Sequence, residues 1–251
     1  MFYAINVERI KQFFIIVLAA LFSAILLYVE TNDVEVMTRF SEPRAVDFVK
    51  TDEKVIALTF NISWGDKYTL QILDTLKKYD LNRTTFFLSG SWAERHPDIV
   101  ERIIEDGHEI GNLGFHYDHY TNLEDEQIRK DLQLSTHVLN ELTKEKVTLF
   151  RPPHGSFDSR VLSLIHDFNY TVIHWSVDSH DWKNPGTEAI VKNVTKHAKA
   201  GDIVLMHASD SAKQTAKALP AIIEHFQKKG YRFVTVSELL ADSNVKTKEI
   251  K

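Results

Sequence analysis

Short apolar runs recur between residues 55 and 236, and each is bounded by polar or turn-forming residues. Runs of this length and flanking predict buried strands. Seven strands are predicted, at Val55–Phe60, Thr84–Leu88, Glu109–Asn112, Val147–Phe150, Thr171–Trp175, Ile203–Met206 and Arg232–Val236. The segments between most of them have helical patterns, and alternating strands and helices favour parallel strands in an α/β layer or barrel. The pattern alone does not choose between an open sheet and a barrel.

The helical segments are marked by apolar residues at intervals of three or four. Leu70, Leu73 and Leu76 show this spacing, and Pro97 is a favoured first-turn residue for the next helix. Helices are predicted at Tyr68–Lys78, from Pro97 through Ile104, and at Glu124–Leu142, Ser159–His166, Thr187–Lys199 and Ser211–Lys228.

An apolar run of a different kind lies near the N-terminus, where residues 13–29 contain no charge. Its length is at the short end of the range for a membrane-spanning helix. Arg9 and Lys11 precede the run and acidic residues follow it, so the positive-inside rule predicts that the rest of the chain lies outside the cytoplasm. A cleaved signal peptide is the alternative, but its apolar region is usually shorter. We predict a single-pass protein of the cell membrane.

The chain divides into four predicted regions. Residues 1–30 form a cytoplasmic tip and transmembrane anchor, 31–50 a linker or leading arm, 51–241 one globular domain, and 242–251 a polar tail. A net charge of −5 without a basic tract argues against nucleic acid as a partner. The chain has no cysteine, so any metal must be bound by His or carboxylate groups. Nothing in the sequence indicates an oligomeric state.

Candidate chemistry follows three of the predicted strands. Arg151 comes directly after the fourth strand, Asp178 and Asp181 follow the fifth, and His207 follows the sixth. Parallel strands of an α/β barrel deliver their carboxyl ends to one face, where such enzymes collect their active-site residues. We therefore expect these four side chains to converge on one cleft.

The three motifs that contain these residues are Arg151–Gly155, Trp175–Trp182 and Ile203–His207. Together they resemble the motifs of the polysaccharide deacetylases, the NodB-homology or carbohydrate esterase 4 family. The resemblance covers about residues 50–241 and is strongest to the PdaB-type sporulation deacetylases. It implies a distorted (β/α)7 barrel and hydrolysis of the C–N amide bond of N-acetylated glycans, such as peptidoglycan of the cell wall or spore envelope.

The resemblance also implies roles for individual residues. His207 would be the catalytic acid, either Asp178 or Asp181 would orient it, and Arg151 would hold the catalytic base. The substrate-binding residues would be Trp175, Trp182, Pro153, His154 and Trp64. The alternative without catalysis places Arg151 in a surface ion pair and makes His207 an ordinary histidine at a strand end.

The first family motif, Thr-Phe-Asp-Asp-Gly, is altered in this chain. Its first aspartate, the base, is Asn61 here, and an amide does not accept a proton from water at neutral pH. Its second aspartate, a metal ligand, is replaced by the stretch Ile62–Trp64. Asp66 is a nearby carboxylate, but it lies further along the chain.

The second family motif supplies two histidines that bind a divalent metal, usually zinc. Leu113 and Tyr117 stand at these two positions here, and neither side chain binds zinc as histidine does. His116 and His119 lie close by in a shifted register, and with Asp66 they are the remaining candidate metal ligands. The sequence therefore predicts weak zinc binding at most.

Two functions remain open, with a variant of the first. One is a membrane-anchored deacetylase that acts on peptidoglycan or a related glycan. The other is a catalytically silent relative that binds a glycan or a partner in the spore envelope. The variant of the first is a hydrolase without the usual metal, which would use His207, one of Asp178 and Asp181, and Asp66.

Overall fold

The computed structural model describes residues 43–241 and, nearer the N-terminus, Val17, Leu18, Leu21 and Ser23. Contacts divide the chain into two units, Met1–Pro43 and Arg44–Lys251. Apart from its four described residues, which are helical, the predicted anchor at 13–29 lies outside this part, as does the predicted tail at 242–251. In the part that is described, no helix is both long enough and apolar enough to cross a bilayer.

The second unit is built around parallel strands. They are β1 (Ala45–Val46), β2 (Val55–Ile62), β3 (Thr85–Leu88), β4 (Glu109–Asn112), β5 (Leu149–Phe150), β6 (Thr171–Ile173), β7 (Val177–Asp178), β8 (Ile203–His207) and β9 (Arg232–Phe233). Their order is β1-β6-β5-β4-β3-β2-β8-β7, and β9 pairs with β2. An antiparallel bridge between Phe48 and Asp202 links the segment after β1 to the start of β8.

Helices follow most of the strands, as the sequence pattern predicts. They are α1 (Lys67–Lys78), α2 (Gly90–Arg95), α3 (Pro97–Glu105), α4 (Asp125–Thr143), α5 (Ser159–Asp167), α6 (Thr187–His197), α7 (Thr215–Lys228) and α8 (Val236–Ala241). Neither α2 nor α8 was predicted, because six residues are too few to show a helical period.

Buried side chains along the strands alternate between two apolar clusters. Ile56, Leu58 and Phe60 of β2 pack against helix residues in the larger cluster. Val55 and Ala57 point the other way, into a smaller cluster formed mainly by strand residues. This alternation is the two-residue period of a strand with both faces covered. The fold is therefore an α/β sheet of parallel strands with a core on each side. In the described residues the sheet forms a distorted half-barrel whose strand path ends at β1 and β7, and the predicted (β/α)7 barrel is confirmed only in this coarser form.

The globular fold starts earlier than predicted. Residues 44–50 were assigned to the linker, but Ala45 and Val46 pair with β6, and Val49 is fully buried in the barrel interior. A two-residue strand has no readable alternation, so only its tertiary pairing defines it. The same reason explains why β7 was not predicted.

Candidate functional site

The carboxyl ends of the parallel strands bring the predicted residues together. Asn61 lies near the end of β2 and His207 ends β8, and the two are register partners on neighbouring strands. Arg151 follows β5 and donates from Nη1 to Asn61 Oδ1 at 3.0 Å. Asp178 ends β7, on the other side of β8. The described fold therefore brings Arg151, Asn61 and His207 together and places Asp178 at the end of the neighbouring strand.

Asp181 is the residue that orients His207. Its Oδ1 lies 2.8 Å from His207 Nδ1, and its Oδ2 accepts from the His207 backbone N–H and from Thr215 Oγ1, both at 2.7 Å. His180 adopts a left-handed conformation (φ 57°), which begins the 3-10 turn at Asp181–Lys183. Because the Asp181 carboxylate accepts at Nδ1, Nε2 is the nitrogen of His207 that is left for a ligand.

Asp178 has a different set of contacts. Its carboxylate accepts from the backbone N–H of His180 at 2.7 Å and lies 3.0 Å from the His180 ring. The Trp182 indole N–H points to it at 3.5 Å. Asp178 therefore orders the loop that carries Trp182 and does not orient His207.

Arg151 is fully buried, and the described residues give it only neutral acceptors. Nη1 donates to Thr59 Oγ1 at 2.9 Å as well as to Asn61, and Nη2 donates to the His174 carbonyl at 3.0 Å. The guanidinium carbon lies 4.0 Å from the centre of the Phe87 ring. The alternative that placed Arg151 in a surface ion pair is wrong, because the side chain lies inside the barrel.

Burial lowers the pKa values of both Arg151 and the neighbouring His174. It lowers the pKa of Arg151 to about 9, so the guanidinium stays charged at neutral pH. Burial also lowers the pKa of His174 to about 4, so this ring is neutral at pH 7. Arg151 is thus a cation in the interior, next to a neutral imidazole.

The two family metal-ligand positions are occupied by groups of other chemistry. Leu113 is fully buried in the apolar interior cluster. Tyr117 adopts a left-handed conformation (φ 65°), and its ring centre lies 4.3 Å from that of His154. Burial raises the pKa of Tyr117, whereas an interaction of its hydroxyl with Asn61 opposes this rise. Tyr117 is therefore a neutral phenol beside the position of the family base.

The three candidate metal ligands of the sequence do not form one site. His116 Nδ1 lies 2.9 Å from the buried carboxylate of Asp131, and His119 stacks on His154 with ring centres 3.9 Å apart. Asp66 is exposed and caps α1 without a side-chain hydrogen bond. No three His, Asp or Glu side chains within the described residues are grouped as a metal site. Zinc needs three protein ligands, so it does not fit the residues present.

The predicted substrate-binding residues separate into exposed and packed groups. Trp64 and Trp182 are exposed, on the loops that follow β2 and β7, the two strands that flank β8. Trp175 stacks on His174 with ring centres 3.8 Å apart, and Pro153 is buried, so packing explains both. His154 is exposed, but its Nε2 lies 2.9 Å from the Tyr117 carbonyl.

One organising residue was missed by sequence reasoning. Asp131 is buried and accepts from the backbone N–H groups of Phe115 and His116 and from the Tyr120 hydroxyl. It fixes the loop that delivers Tyr117 to the barrel end. A signal was present, because Asp131 stands on the apolar face of α4 beside Leu132, where an acid must find partners.

Comparison with known proteins shows which family this chain resembles. The family model for polysaccharide deacetylase matches residues 48–173. A peptidoglycan-N-acetylglucosamine deacetylase of Bacillus cereus is 40% identical over 195 residues, which cover 76% of this chain and 91% of the relative.

Solved structures show a similar fold. A carbohydrate esterase 4 family pseudoenzyme from Bacillus anthracis matches with a TM-score of 0.75 and 32% identity, over 82% of this chain and 72% of that one. A mutant of the same protein, described as having restored enzymatic activity, matches with a TM-score of 0.75 and 33% identity, over 81% and 74% of the two chains.

Proposed function

This chain belongs to the polysaccharide deacetylase family, and from that premise we propose that it binds an N-acetylated, peptidoglycan-type glycan without the zinc-dependent deacetylation of its family. This proposal rests on one observation: the family's catalytic base and its two metal-binding histidines are all replaced in this chain. Asn61 is the acceptor of a hydrogen bond from Arg151, while Leu113 and Tyr117 fill the two histidine positions. Deacetylation needs a base and a polarising group, and this cleft has an amide and a phenol in their places.

The retained residues support binding. Trp64 and Trp182 offer exposed aromatic faces on both sides of β8, where sugar rings pack well. Asp181 holds the His207 ring, so Nε2 has a fixed position for a hydrogen bond to the glycan. Fixed partners lower the conformational entropy lost when a ligand binds.

A second candidate function is slow hydrolysis of an acyl group without zinc. The intact Asp181–His207 pair favours it, since this pair keeps the geometry of a general acid or base. Asp66, the further carboxylate that the sequence offered for this candidate, is exposed at the start of α1 and makes no capping hydrogen bond there.

The location of the protein is part of the proposal. Residues 13–29 would anchor it in the cell membrane, with the barrel outside the cytoplasm, where peptidoglycan lies. The likeness to PdaB-type sporulation deacetylases and a role in the spore envelope remain predictions. Protease added to intact protoplasts should digest the barrel, and a protected barrel would contradict this topology.

The proposed function is tested by measuring binding and acetate release in the same preparation. N-acetylated chito-oligosaccharides should bind with an affinity that a chelator leaves unchanged, and added zinc should release no acetate above background. Trp182→Ala should weaken binding about fivefold, the equivalent of about 1 kcal/mol for one aromatic contact. Zinc-stimulated acetate release, or binding that the chelator abolishes, would contradict the proposal.

A further inference from the structure

Arg151 is a buried cation whose family counter-charge is missing. In the family its partner is the catalytic aspartate, and here the same position holds the neutral side chain of Asn61. Its acceptors among the described residues are the side-chain oxygens of Thr59 and Asn61 and the carbonyl oxygens of Ile173 and His174. A charge in a medium of low dielectric acts over several ångströms, so this guanidinium favours an anion nearby.

Asn61 has a defined orientation between this cation and the cleft. Arginine only donates hydrogen bonds, so the Asn61 atom that faces it at 3.0 Å must be the carbonyl oxygen. The Asn61 NH₂ group therefore points away from Arg151. The Tyr117 hydroxyl is its neighbour, and His207 is its register partner on β8.

The groups around Asn61 are therefore mainly donors. The Asn61 NH₂ and the Tyr117 hydroxyl both donate, and both are polarised by the positive charge behind them. No aspartate or glutamate among the described residues forms an ion pair with Arg151, and the buried Asp181 is committed to His207 and Thr215. A ligand oxygen with negative charge is the complement that this arrangement lacks.

We propose that the cleft selects a carboxylate-bearing ligand, whose carboxylate lies next to the Asn61 NH₂ and the Tyr117 hydroxyl and supplies the negative charge that Arg151 lacks. This rests on the proposed function, because the ligand class is an N-acetylated sugar that carries a carboxylate. Free acetate has the same group and would occupy the same place. The bound carboxylate accepts from the Asn61 NH₂ and the Tyr117 hydroxyl and compensates the charge of Arg151.

Two matched pairs of probes test this proposal on the purified protein, in a chelator and at neutral pH. N-acetylmuramic acid has a carboxylate that N-acetylglucosamine lacks, and acetate differs from acetamide mainly in charge. We expect the acid of each pair to bind about tenfold more tightly than its neutral partner, measured by calorimetry or tryptophan fluorescence. Equal affinities within both pairs would overturn the proposal.

Asn61→Asp is the decisive variant, because it supplies the missing anion with almost no change of shape. It should reduce the acid-to-neutral ratio to about one or below. Tyr117→Phe keeps the ring but removes the hydroxyl, and it should reduce the ratio about fivefold. Trp182→Ala is the control, since it should weaken both sugars alike and leave the ratio intact. A ratio that Asn61→Asp and Tyr117→Phe both leave unchanged would contradict the assignment.

The outcomes also separate this inference from the proposed function. Binding of neutral chito-oligosaccharides with no preference for acids would overturn the carboxylate site alone. Preference for acetate over acetamide without any glycan binding would support the carboxylate site and contradict the proposed function.

Discussion

Asp181→Ala should lower the free energy of unfolding by about 3–5 kcal/mol, the cost of breaking a buried, hydrogen-bonded charged group. Asp181 has no exposed surface and accepts from the His207 ring, the His207 backbone and Thr215. Its removal leaves these donors without partners inside the barrel, where each unpaired polar group costs about 1–3 kcal/mol. Urea unfolding followed by circular dichroism measures the change.

Asp178→Ala is the matched control for this prediction. Asp178 lies three residues earlier, and its side chain is 21% exposed and pairs with the exposed His180. Its loss should cost about 1 kcal/mol or less, as expected for a pair at the surface. Equal destabilisation by the two variants, or the larger effect at Asp178, would contradict the assignment of Asp181 as the residue that orients His207.

Restoring the family residues should create zinc binding and acetate release together, but only as a set. Asn61→Asp alone supplies a base that pairs with Arg151, and it should raise acetate release less than about tenfold. Leu113→His and Tyr117→His supply two ligands, and Ser63→Asp supplies a third. Ser63 is a better position for this third ligand than Ile62, because the Ile62 side chain packs in the apolar cluster between the strands and the helices.

The combined variant should bind zinc and release acetate about a hundredfold faster than the wild type, the lower limit for a positioned base. The variant without Asn61→Asp is its control, because it should bind zinc and yet show little turnover. An Asn61→Asp variant that alone raises acetate release by more than about tenfold would indicate a metal or activated water already present, and His116 and His119 would then be the leading ligand candidates.

The parts of the fold that the sequence predicted are those with a repeated signal. The strand at Val55–Phe60 and the helix at Glu124–Leu142 are long enough for a period to be read, and both appear within two residues of their predicted ends. The two-residue strand at Ala45–Val46 is defined by its pairing with β6 and has no local signal. Tertiary contacts therefore determine the elements that were missed.

In the candidate site, too, some residues were predicted from the sequence and some contacts were not. His207 and Arg151 were predicted because strand ends of a parallel barrel meet at one face. The choice between Asp178 and Asp181 was open, since both follow the same predicted strand. His180, which lies between them, has a left-handed backbone that begins the turn in which Asp181 meets His207, and the sequence does not predict this backbone. The contact between Asn61 and Tyr117 joins residues 56 positions apart, so no local pattern predicts it.

Zinc affinity of the wild-type protein tests the central claim most directly. Zinc should be titrated calorimetrically into the purified, chelator-treated protein, with the combined variant as the positive control. With Leu113 and Tyr117 at the ligand positions, we expect a Kd no tighter than about 1 μM. One equivalent of zinc retained through dialysis, with three protein ligands in a crystal structure, would contradict the account.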